Sequence, residues 1–270
     1  MIVDKINKYL SSENLTFNES LKYDVGTLAK CAFERQFMEN SEGPNGKLRL
    51  SSAGKCARQL AYGYHHFEKK GKEVDSRSRI IFFQGDLVEL MLTSLAKLAG
   101  CNIVATGLQQ SRVFLPVNGT TIEGHPDGLL IQDGEIYLIE VKSMSSFSFE
   151  RFQKGEVDEG YRAQINCYLA ALGIKKCVLA GQNKDSGVLH ELIIGIDDSI
   201  VKSCIANLES VLKSTPEKLP PPAYEKNEKN LYPWQCLYCA YWGHCRPNAE
   251  KVLVKQSYKL KEKSNETKNN

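Results

Sequence analysis

The alternation of two hydrophobic periodicities along the chain predicts an α/β fold. Some stretches repeat apolar residues at helical spacing, and others are rich in the β-branched and aromatic residues that favour strands. The predicted helices are a short one within 51–70 and longer ones over 77–99, 158–172 and 197–213. The predicted strands are 111–117, 121–131, 135–144, 176–181 and 188–196.

Several of these elements end at residues that favour a chain reversal or a helix stop. Gly100 follows the first long helix and Gly173 follows the second, and glycine is the usual residue just beyond a helix C-terminus. The pair Asp133-Gly134 lies between two predicted strands, where Asp-Gly is a strong hairpin signal. We therefore expect a hairpin in the middle of the chain.

The composition is that of an ordinary globular protein, with 42% hydrophobic and 25% charged residues among 270. A formal net charge of +3 neither requires nor excludes nucleic acid, because a groove can concentrate positive charge locally. No apolar run approaches the roughly 20 residues of a membrane span, and the first ten residues contain no apolar targeting segment. We therefore expect a cytoplasmic protein with no membrane partner.

We expect three regions along the chain. Residues 1–50 are interpreted as an N-terminal helical extension, and residues 51–250 as the main core. Within that core, 51–70 and 230–250 are expected to form a cysteine-rich subdomain. Residues 251–270 carry six lysines and are predicted to be a flexible tail.

Two short motifs place acidic side chains near the end of the predicted sheet. Gly124-His125-Pro126-Asp127-Gly128 precedes Glu140-Val141-Lys142 by one hairpin. Residues two apart on a strand share a face, so Glu140 and Lys142 point the same way. Their strand is apolar on both faces, which predicts burial, and a buried charge is costly without a partner. We therefore expect Asp127 to converge with Glu140.

Two carboxylates and a lysine in such a place suit the hydrolysis of a phosphodiester. Carboxylate oxygens hold a hard cation such as Mg²⁺ or Mn²⁺. The cation and the lysine together favour the hydroxide form of an attacking water. The ordinary alternative is a surface hairpin with a simple Glu–Lys ion pair, which E-x-K alone would favour. The buried strand and the preceding G-x-x-D-G pattern favour the metal site.

Polar residues on two predicted helices can extend this site. Gln164 and Tyr168 are four residues apart, hence on one helix face, where they can position DNA or the attacking water. Glu89 lies beside the apolar stripe of an earlier helix and can supply a third carboxylate. The alternatives are an amphipathic tyrosine at the edge of the core and a solvated helix glutamate.

The ordered set G-x-x-x-E, G-x-x-D, E-x-K and Q-x-x-x-Y resembles the RecB-like branch of the PD-(D/E)XK nucleases. The resemblance implies a restriction-endonuclease-like α/β core, with a central mixed sheet flanked by helices. It implies metal ligation by Asp127, Glu140 and the main-chain carbonyl of Val141, and it implies that Lys142 is the catalytic lysine. Many members carry a histidine where this chain has Glu89, although related phage exonucleases use a glutamate there.

A cluster of thiols near the C-terminus is typical of metal binding. Cys236, Cys239 and Cys245 form C-x2-C-x5-C, and an odd total of nine cysteines without a secretory signal argues against a disulfide scaffold. Three ligands leave a tetrahedral iron or zinc site one short. The candidates for the fourth are Cys56, Cys31, Cys101, Cys167, Cys177, Cys204 and His244.

The segment Cys56-Ala57-Arg58 with Tyr62 after it resembles the C-x-R…Y element of iron–sulphur nucleases, namely the CRISPR-associated exonucleases of this branch and the AddB nuclease domain. These proteins take one cysteine from before the nuclease core and three from after it. The resemblance therefore implies a [4Fe–4S] cluster on Cys56, Cys236, Cys239 and Cys245. The alternative is a zinc ion held by the same three C-terminal cysteines with His244 or Cys56.

These features together predict a Mg²⁺- or Mn²⁺-dependent DNA exonuclease with a structural cluster, acting on DNA ends or single strands. An alternative is a binding or decoy homologue that acts on a CRISPR adaptation or recombination complex. A further possibility is a phage or plasmid recombination nuclease that works with an annealing protein in the bacterial or host cytoplasm. The presence of Asp127, Glu140 and Lys142 favours the enzyme, because a decoy need not keep them.

Overall fold

The structure is a computed structural model, and it describes residues 1–13, 15, 19–38, 46–71, 76–254 and 257–263. The chain divides into two compact units. The first comprises the described residues within Met1–Glu42, Arg49–Gly54 and Asp75–Ile205. The second comprises those within Gly43–Leu48, Lys55–Val74 and Ala206–Asn270. Among the described helices, none has both the length and the apolar character needed to cross a membrane.

Helices and strands alternate along the chain as the periodicity predicts. The helices are α1 (Ile2–Leu10), α2 (Glu19–Phe33), α3 (Ala57–Tyr64), α4 (Ser76–Leu98), α5 (Ser146–Gln153), α6 (Glu159–Leu172), α7 (Asp198–Leu212), α8 (Trp234–Leu237) and α9 (Trp242–Cys245). The strands are β1 (Ile103–Val104), β2 (Val113–Val117), β3 (Thr120–Gly124), β4 (Gly128–Gln132), β5 (Glu135–Met144), β6 (Lys176–Asn183), β7 (Leu189–Gly195), β8 (Leu231–Tyr232), β9 (Ala249–Val254) and β10 (Ser257–Glu262). A π-helical turn, Glu34–Met38, continues α2, and short 3₁₀ turns lie at Leu50–Ser52 and Gly107–Gln109.

A five-stranded mixed sheet forms the centre of the first unit. Its strand order is β1-β4-β5-β6-β7, in which β5 and β6 run parallel and the other neighbours antiparallel. Strands β2 and β3 form a separate antiparallel pair. The predicted α/β class, with a central mixed sheet flanked by helices, is confirmed.

The two faces of β5 have different neighbours, and this difference positions the polar site. Ile139 and Val141 belong to a buried cluster that also contains Leu92 of α4 and Ile2 of α1. Glu140 lies on the opposite face, where Gln164 of α6 donates a hydrogen bond to it. The alternation of side chains along a strand therefore produces an apolar layer and a polar site from one segment.

The predicted end signals are confirmed by backbone geometry. Gly173 follows α6 with φ +67°, and Gly100 follows α4 with φ +76°, both in the left-handed region that glycine adopts readily. The β4–β5 hairpin turns through Asp133 at φ +52° and Gly134 at φ +77°. Positive φ at both central residues is the geometry that an Asp-Gly turn favours.

Residues 121–131 do not form one strand as predicted. Strand β3 ends at Gly124 and β4 begins at Gly128, and the two strands belong to different sheets. Pro126 lies in the break, where its ring nitrogen has no proton to donate to a ladder. Asp127 therefore lies in the short connection just before β4 and not within a strand.

The predicted boundaries of the three regions also differ from the structure. Residues 1–50 contain α1, α2 and the π-helical turn, but α1 is part of the main core and not an extension, because Ile2 and Ile6 are buried in the same cluster as β5. Residues 249–254 and 257–262 form the β9–β10 hairpin, so this part of 251–270 is ordered as strands. The remainder, 264–270 with 255–256, lies outside the described residues.

The second unit is built on a three-stranded sheet in the order β8-β10-β9. Its small core contains Tyr232, Ala249 and Leu260, with Trp242 packed against them. The cysteine-rich subdomain was predicted from 51–70 and 230–250, whereas residues 51–54 belong to the first unit and residues 206–229 to the second.

Candidate functional site

The predicted acidic constellation forms in the first unit around Glu140. Its side chain is fully buried and accepts hydrogen bonds at Oε1 from Lys142 and, at 2.7 Å, from Gln164 Nε2. Asp127 Oδ2 accepts the backbone N–H of Val141 at 2.7 Å, which fixes this carboxylate beside the same strand. The structure thus places Asp127, Glu140 and Lys142 together, as the two motifs predict.

The acids of this constellation are crowded, and their protonation reflects it. Burial raises the pKa of Glu140 to about 8, with Asp127 adding to the shift while Lys142 and Gln164 oppose it. Burial also raises the pKa of Asp127, against the influence of Lys142 and the Val141 N–H. Two carboxylates that share a poorly solvated space resist ionising together. A divalent cation would relieve that cost.

Lys142 remains a cation in this setting. Burial alone lowers its pKa, but the carboxylates of Glu140 and Asp127 outweigh burial and hold the pKa above its ordinary value. Its Nζ also lies 5.1 Å from the centre of the Tyr161 ring, a geometry in which the ring face attracts the charge. Sequence reasoning missed Tyr161, although its position three residues before Gln164 places both on one face of α6.

Glu89 belongs to the same acidic cluster. Burial raises its pKa to about 8, and Asp127 and Glu140 are the next largest influences, with Arg35 opposing them. Asp86, three residues earlier on α4, pairs with Arg35 at 2.8 Å and accepts from Gln36 at 3.0 Å. Glu89 is half-buried, and its acidic neighbours favour a role in the site over a fully solvated helix glutamate.

Gln164 and Tyr168 share a helix face as predicted, but they differ in exposure. Gln164 Nε2 lies 3.5 Å from the Tyr168 hydroxyl, so the tyrosine touches the group that orients Glu140. Tyr168 is only 1% exposed, and burial raises the pKa of its hydroxyl. Because Tyr168 is buried in the core, it can support Gln164 but cannot contact a substrate directly.

Gly124, the first residue of the G-x-x-D motif, has a packing role here. A Cβ added to it would lie 2.4 Å from Tyr168 Cε1 and 3.0 Å from Leu50 Cβ. No real Cβ approaches so closely, and both neighbours are buried. The glycine therefore lets the β3 backbone approach the tyrosine ring.

The four predicted cysteines line one pocket, which lies entirely in the second unit. Cys56, Cys236, Cys239 and Cys245 all line this pocket, which is partly open to solvent. The Ala223 N–H donates to Cys56 Sγ at 3.5 Å, and the Tyr241 N–H donates to Cys239 Sγ at 3.4 Å. Tyr62, the tyrosine of the C-x-R…Y element, also lines the pocket.

The three C-terminal thiols of the pocket have raised pKa values. Burial raises the pKa of Cys236 and of Cys239 to about 11. It also raises the pKa of Cys245, against the influence of Arg246 and Arg58. Metal binding here would therefore release protons, as it does wherever thiolates are the ligands.

The other candidates for the fourth cysteine position lie elsewhere. Cys31 is exposed in the first unit, where Cys101, Cys167, Cys177 and Cys204 are buried. His244 is in the second unit, but it does not line the pocket, and its Nε2 lies 2.8 Å from the Glu68 carbonyl. Of the candidates, Cys56 alone shares the pocket with the C-terminal three.

No group of three or more His, Cys, Asp or Glu side chains within the described residues is close enough to hold a single metal ion. At the acidic site, however, Glu140 Oε2 is buried without a hydrogen-bond partner among those residues. Such an atom fits a cation, because a buried carboxylate oxygen otherwise has a partner.

Comparison with protein-family models and with curated proteins gives no match. Among solved structures, the chain is similar to SSO0001, with 19% identity and a TM-score of 0.48 over 80% of this chain and 92% of the other. It is similar to the alkaline exonuclease LHK-Exo from Laribacter hongkongensis, with 18% identity and a TM-score of 0.45 over 66% and 90%. It is also similar to LHK-Exo in complex with dAMP, with 17% identity and a TM-score of 0.45 over 63% of this chain and 87% of the other. These likenesses are too distant to carry a conclusion about function.

Proposed function

We propose that the chain is a divalent-metal-dependent deoxyribonuclease of the PD-(D/E)XK type that acts as an exonuclease on DNA ends or single strands. The observation that supports it best is the buried Glu140 carboxylate, which has one oxygen without a partner and a second acid, Asp127, beside it. A fold that buries two acids in one place without enough cations gains stability when a cation binds.

The donor set fits Mg²⁺ or Mn²⁺, because these ions prefer oxygen ligands. Asp127, Glu140 and the main-chain carbonyl of Val141 would hold the ion, and Glu89 would add a further carboxylate. When bound, the ion supplies charge that polarises a phosphate. The resemblance of the ordered motifs to RecB-like nucleases favours DNA as the substrate.

The protein residues around the ion have separate tasks in this proposal. Lys142, kept cationic by Glu140 and Asp127, places a positive charge where a scissile phosphate and its attacking water would lie. Gln164 donates to Glu140 Oε1 and so holds that carboxylate in one orientation. Tyr168 supports Gln164 and is a positioning residue, since it is buried and cannot reach the substrate.

We further propose that Cys56, Cys236, Cys239 and Cys245 hold a [4Fe–4S] cluster. Soft thiolate ligands suit iron–sulphur chemistry, and all four thiols face one pocket although Cys56 lies about 180 residues from the rest. A cluster bound by all four thiolates would join these distant segments of the chain. Zinc is the competing occupant, and metal analysis separates the two.

The nuclease proposal is tested with end-labelled single- and double-stranded DNA, with and without Mn²⁺. Asp127→Ala should abolish cleavage, because it removes a ligand and leaves the sheet intact. Glu135→Gln is the matched control, since Glu135 is an exposed acid at the start of β5, the strand that carries Glu140. Cleavage by Asp127→Ala at the wild-type rate would show that the site is assigned wrongly.

A further inference from the structure

The pocket lined by the four cysteines carries an unusual concentration of unpaired polar atoms. Arg58, Gln235, Trp242 and Arg246 also line it. Each of these four has one buried side-chain atom without a hydrogen-bond partner among the described residues, namely Arg58 Nε, Gln235 Oε1, Trp242 Nε1 and Arg246 Nε. Buried polar atoms nearly always have partners, so a group of them around one space indicates that an occupant supplies the partners.

Three of these four atoms are N–H donors, and this defines the chemistry of the occupant. It must offer several acceptors in a small space, and it must tolerate two guanidinium groups. Arg246 is fixed by other contacts, because its Nη2 donates to the Tyr224 carbonyl at 2.5 Å and its guanidinium lies 4.7 Å from the centre of the Tyr232 ring. The Nε–H of Arg246 therefore cannot turn away to find water without breaking these contacts.

An iron–sulphur cluster with thiolate ligands has these properties. Its sulphurs accept hydrogen bonds, and hydrogen bonds and net charge are among the factors that set its reduction potential. A cubane core of charge +2 on four thiolates carries two net negative charges. Arg58 and Arg246 place positive charge beside it, and Arg246 also pairs with Glu225 at 3.5 Å. Hydrogen bonds from N–H groups and nearby positive charge both favour the reduced state.

We infer that Arg58, Trp242 and Arg246 are positioning residues for the cluster, which donate N–H hydrogen bonds to its sulphur atoms and balance its charge. This inference rests on the cluster proposed above. It assigns a function to the arginine of the C-x-R element and to a tryptophan that no motif singled out. These residues therefore help to hold the cluster and also set its reduction potential.

The test is a potentiometric titration of the anaerobically purified full chain, together with iron and sulphide analysis. Trp242→Phe keeps an aromatic ring against the small core and removes the N–H, together with the five-membered ring of the indole. The reduction potential should become more negative than that of the wild type while the iron content stays the same. Trp234→Phe is the matched control, because Trp234 is 57% exposed and does not line the pocket, and it should leave the potential unchanged.

Arg246→Gln should move the potential in the same direction and further, because it removes a charge as well as a donor. Arg246→Lys should restore part of the shift. If a variant loses its cluster during titration, the rate of bleaching in air is compared with that of Trp234→Phe, and faster bleaching supports the inference. Wild-type potentials and bleaching rates in both Trp242→Phe and Arg246→Gln would overturn it. Absence of iron and sulphide from the wild type would instead defeat the cluster itself.

Discussion

The acidic site should destabilise the metal-free protein as the pH rises, and Glu140→Gln should remove that effect. The pKa of Glu140 is raised from 4.5 to about 8, so the folded state binds a proton that the unfolded state has released. Stability that the neutral carboxyl provides is therefore present below about pH 4.5 and is lost as the pH rises towards about 8. Glutamine has the shape of the neutral form and does not titrate.

The size of the effect follows from the shift. A difference of roughly 3.5 pKa units corresponds to at most about 5 kcal/mol. Asp127 and Glu89 share the titration with Glu140, so the effect of one substitution is smaller, and we expect about 1–3 kcal/mol. The variant should gain this amount over the wild type between pH 5.5 and pH 8.5. Saturating Mg²⁺ should reduce the gain, because a bound cation stabilises the ionised carboxylate.

Hydrogen exchange of the β5 and β6 amides measures this local free energy in each condition, with EDTA in the metal-free samples. Glu135→Gln is the control on the same strand. Glu135 is exposed, and its hydrogen bonds with Lys176 and Tyr137 hold its pKa below the ordinary value, so its effect lies at lower pH and has the opposite sign. If the difference in local free energy between Glu140→Gln and the wild type does not change with pH, the reasoning is refuted.

Substitutions at Lys142, Tyr168, Cys56 and Cys177 separate the proposed roles. Lys142→Ala should lower the cleavage rate by roughly a hundredfold or more, as measured in single-turnover assays. Calorimetry should show that Mn²⁺ still binds, and loss of Mn²⁺ binding would contradict the assigned role. Tyr168→Phe should keep the fold and slow turnover modestly. Tyr168→Ala should lower the free energy of unfolding by about 3–5 kcal/mol, because it leaves a cavity. Equal turnover in Tyr168→Phe and the wild type would exclude the positioning role. Cys56→Ala should lose the brown colour of the cluster and Cys177→Ala should keep it, and the reverse result would reassign the fourth ligand.

Much of the acidic site could be predicted because it depends on short-range geometry. Glu140 and Lys142 share a face because strand side chains alternate, and Gln164 and Tyr168 share a face because a helix turns every 3.6 residues. The depth of Tyr168 could not be predicted in this way. It depends on Gly124, which is 44 residues away along the chain and allows the backbone to approach the ring.

The C-terminal hairpin shows why local composition can mislead. Residues 251–270 are rich in lysine, which favours a solvated tail, yet Leu260 is fully buried. Its partners are Tyr232, 28 residues earlier, and Ala249 on the paired strand. One buried leucine among lysines gives almost no periodic signal, and its burial depends on residues that only the fold brings near. The same limit applies to α1, whose apolar residues are buried by distant strands.

The two proposed sites share a physical property that sequence motifs do not reveal. A folded chain satisfies nearly all of its buried polar atoms internally, since each one left alone costs about 1–3 kcal/mol. Glu140 Oε2 is an acceptor left over among acids, and Arg58 Nε, Trp242 Nε1 and Arg246 Nε are donors left over among thiols. Gln235 Oε1 is the single unpaired acceptor beside those donors within the described residues. The two sets therefore call for occupants of opposite character, a cation at the first and an anionic centre that is mainly an acceptor at the second. Removal of either occupant should destabilise its own unit, and neutral substitution of Glu140 should then stabilise the acidic site.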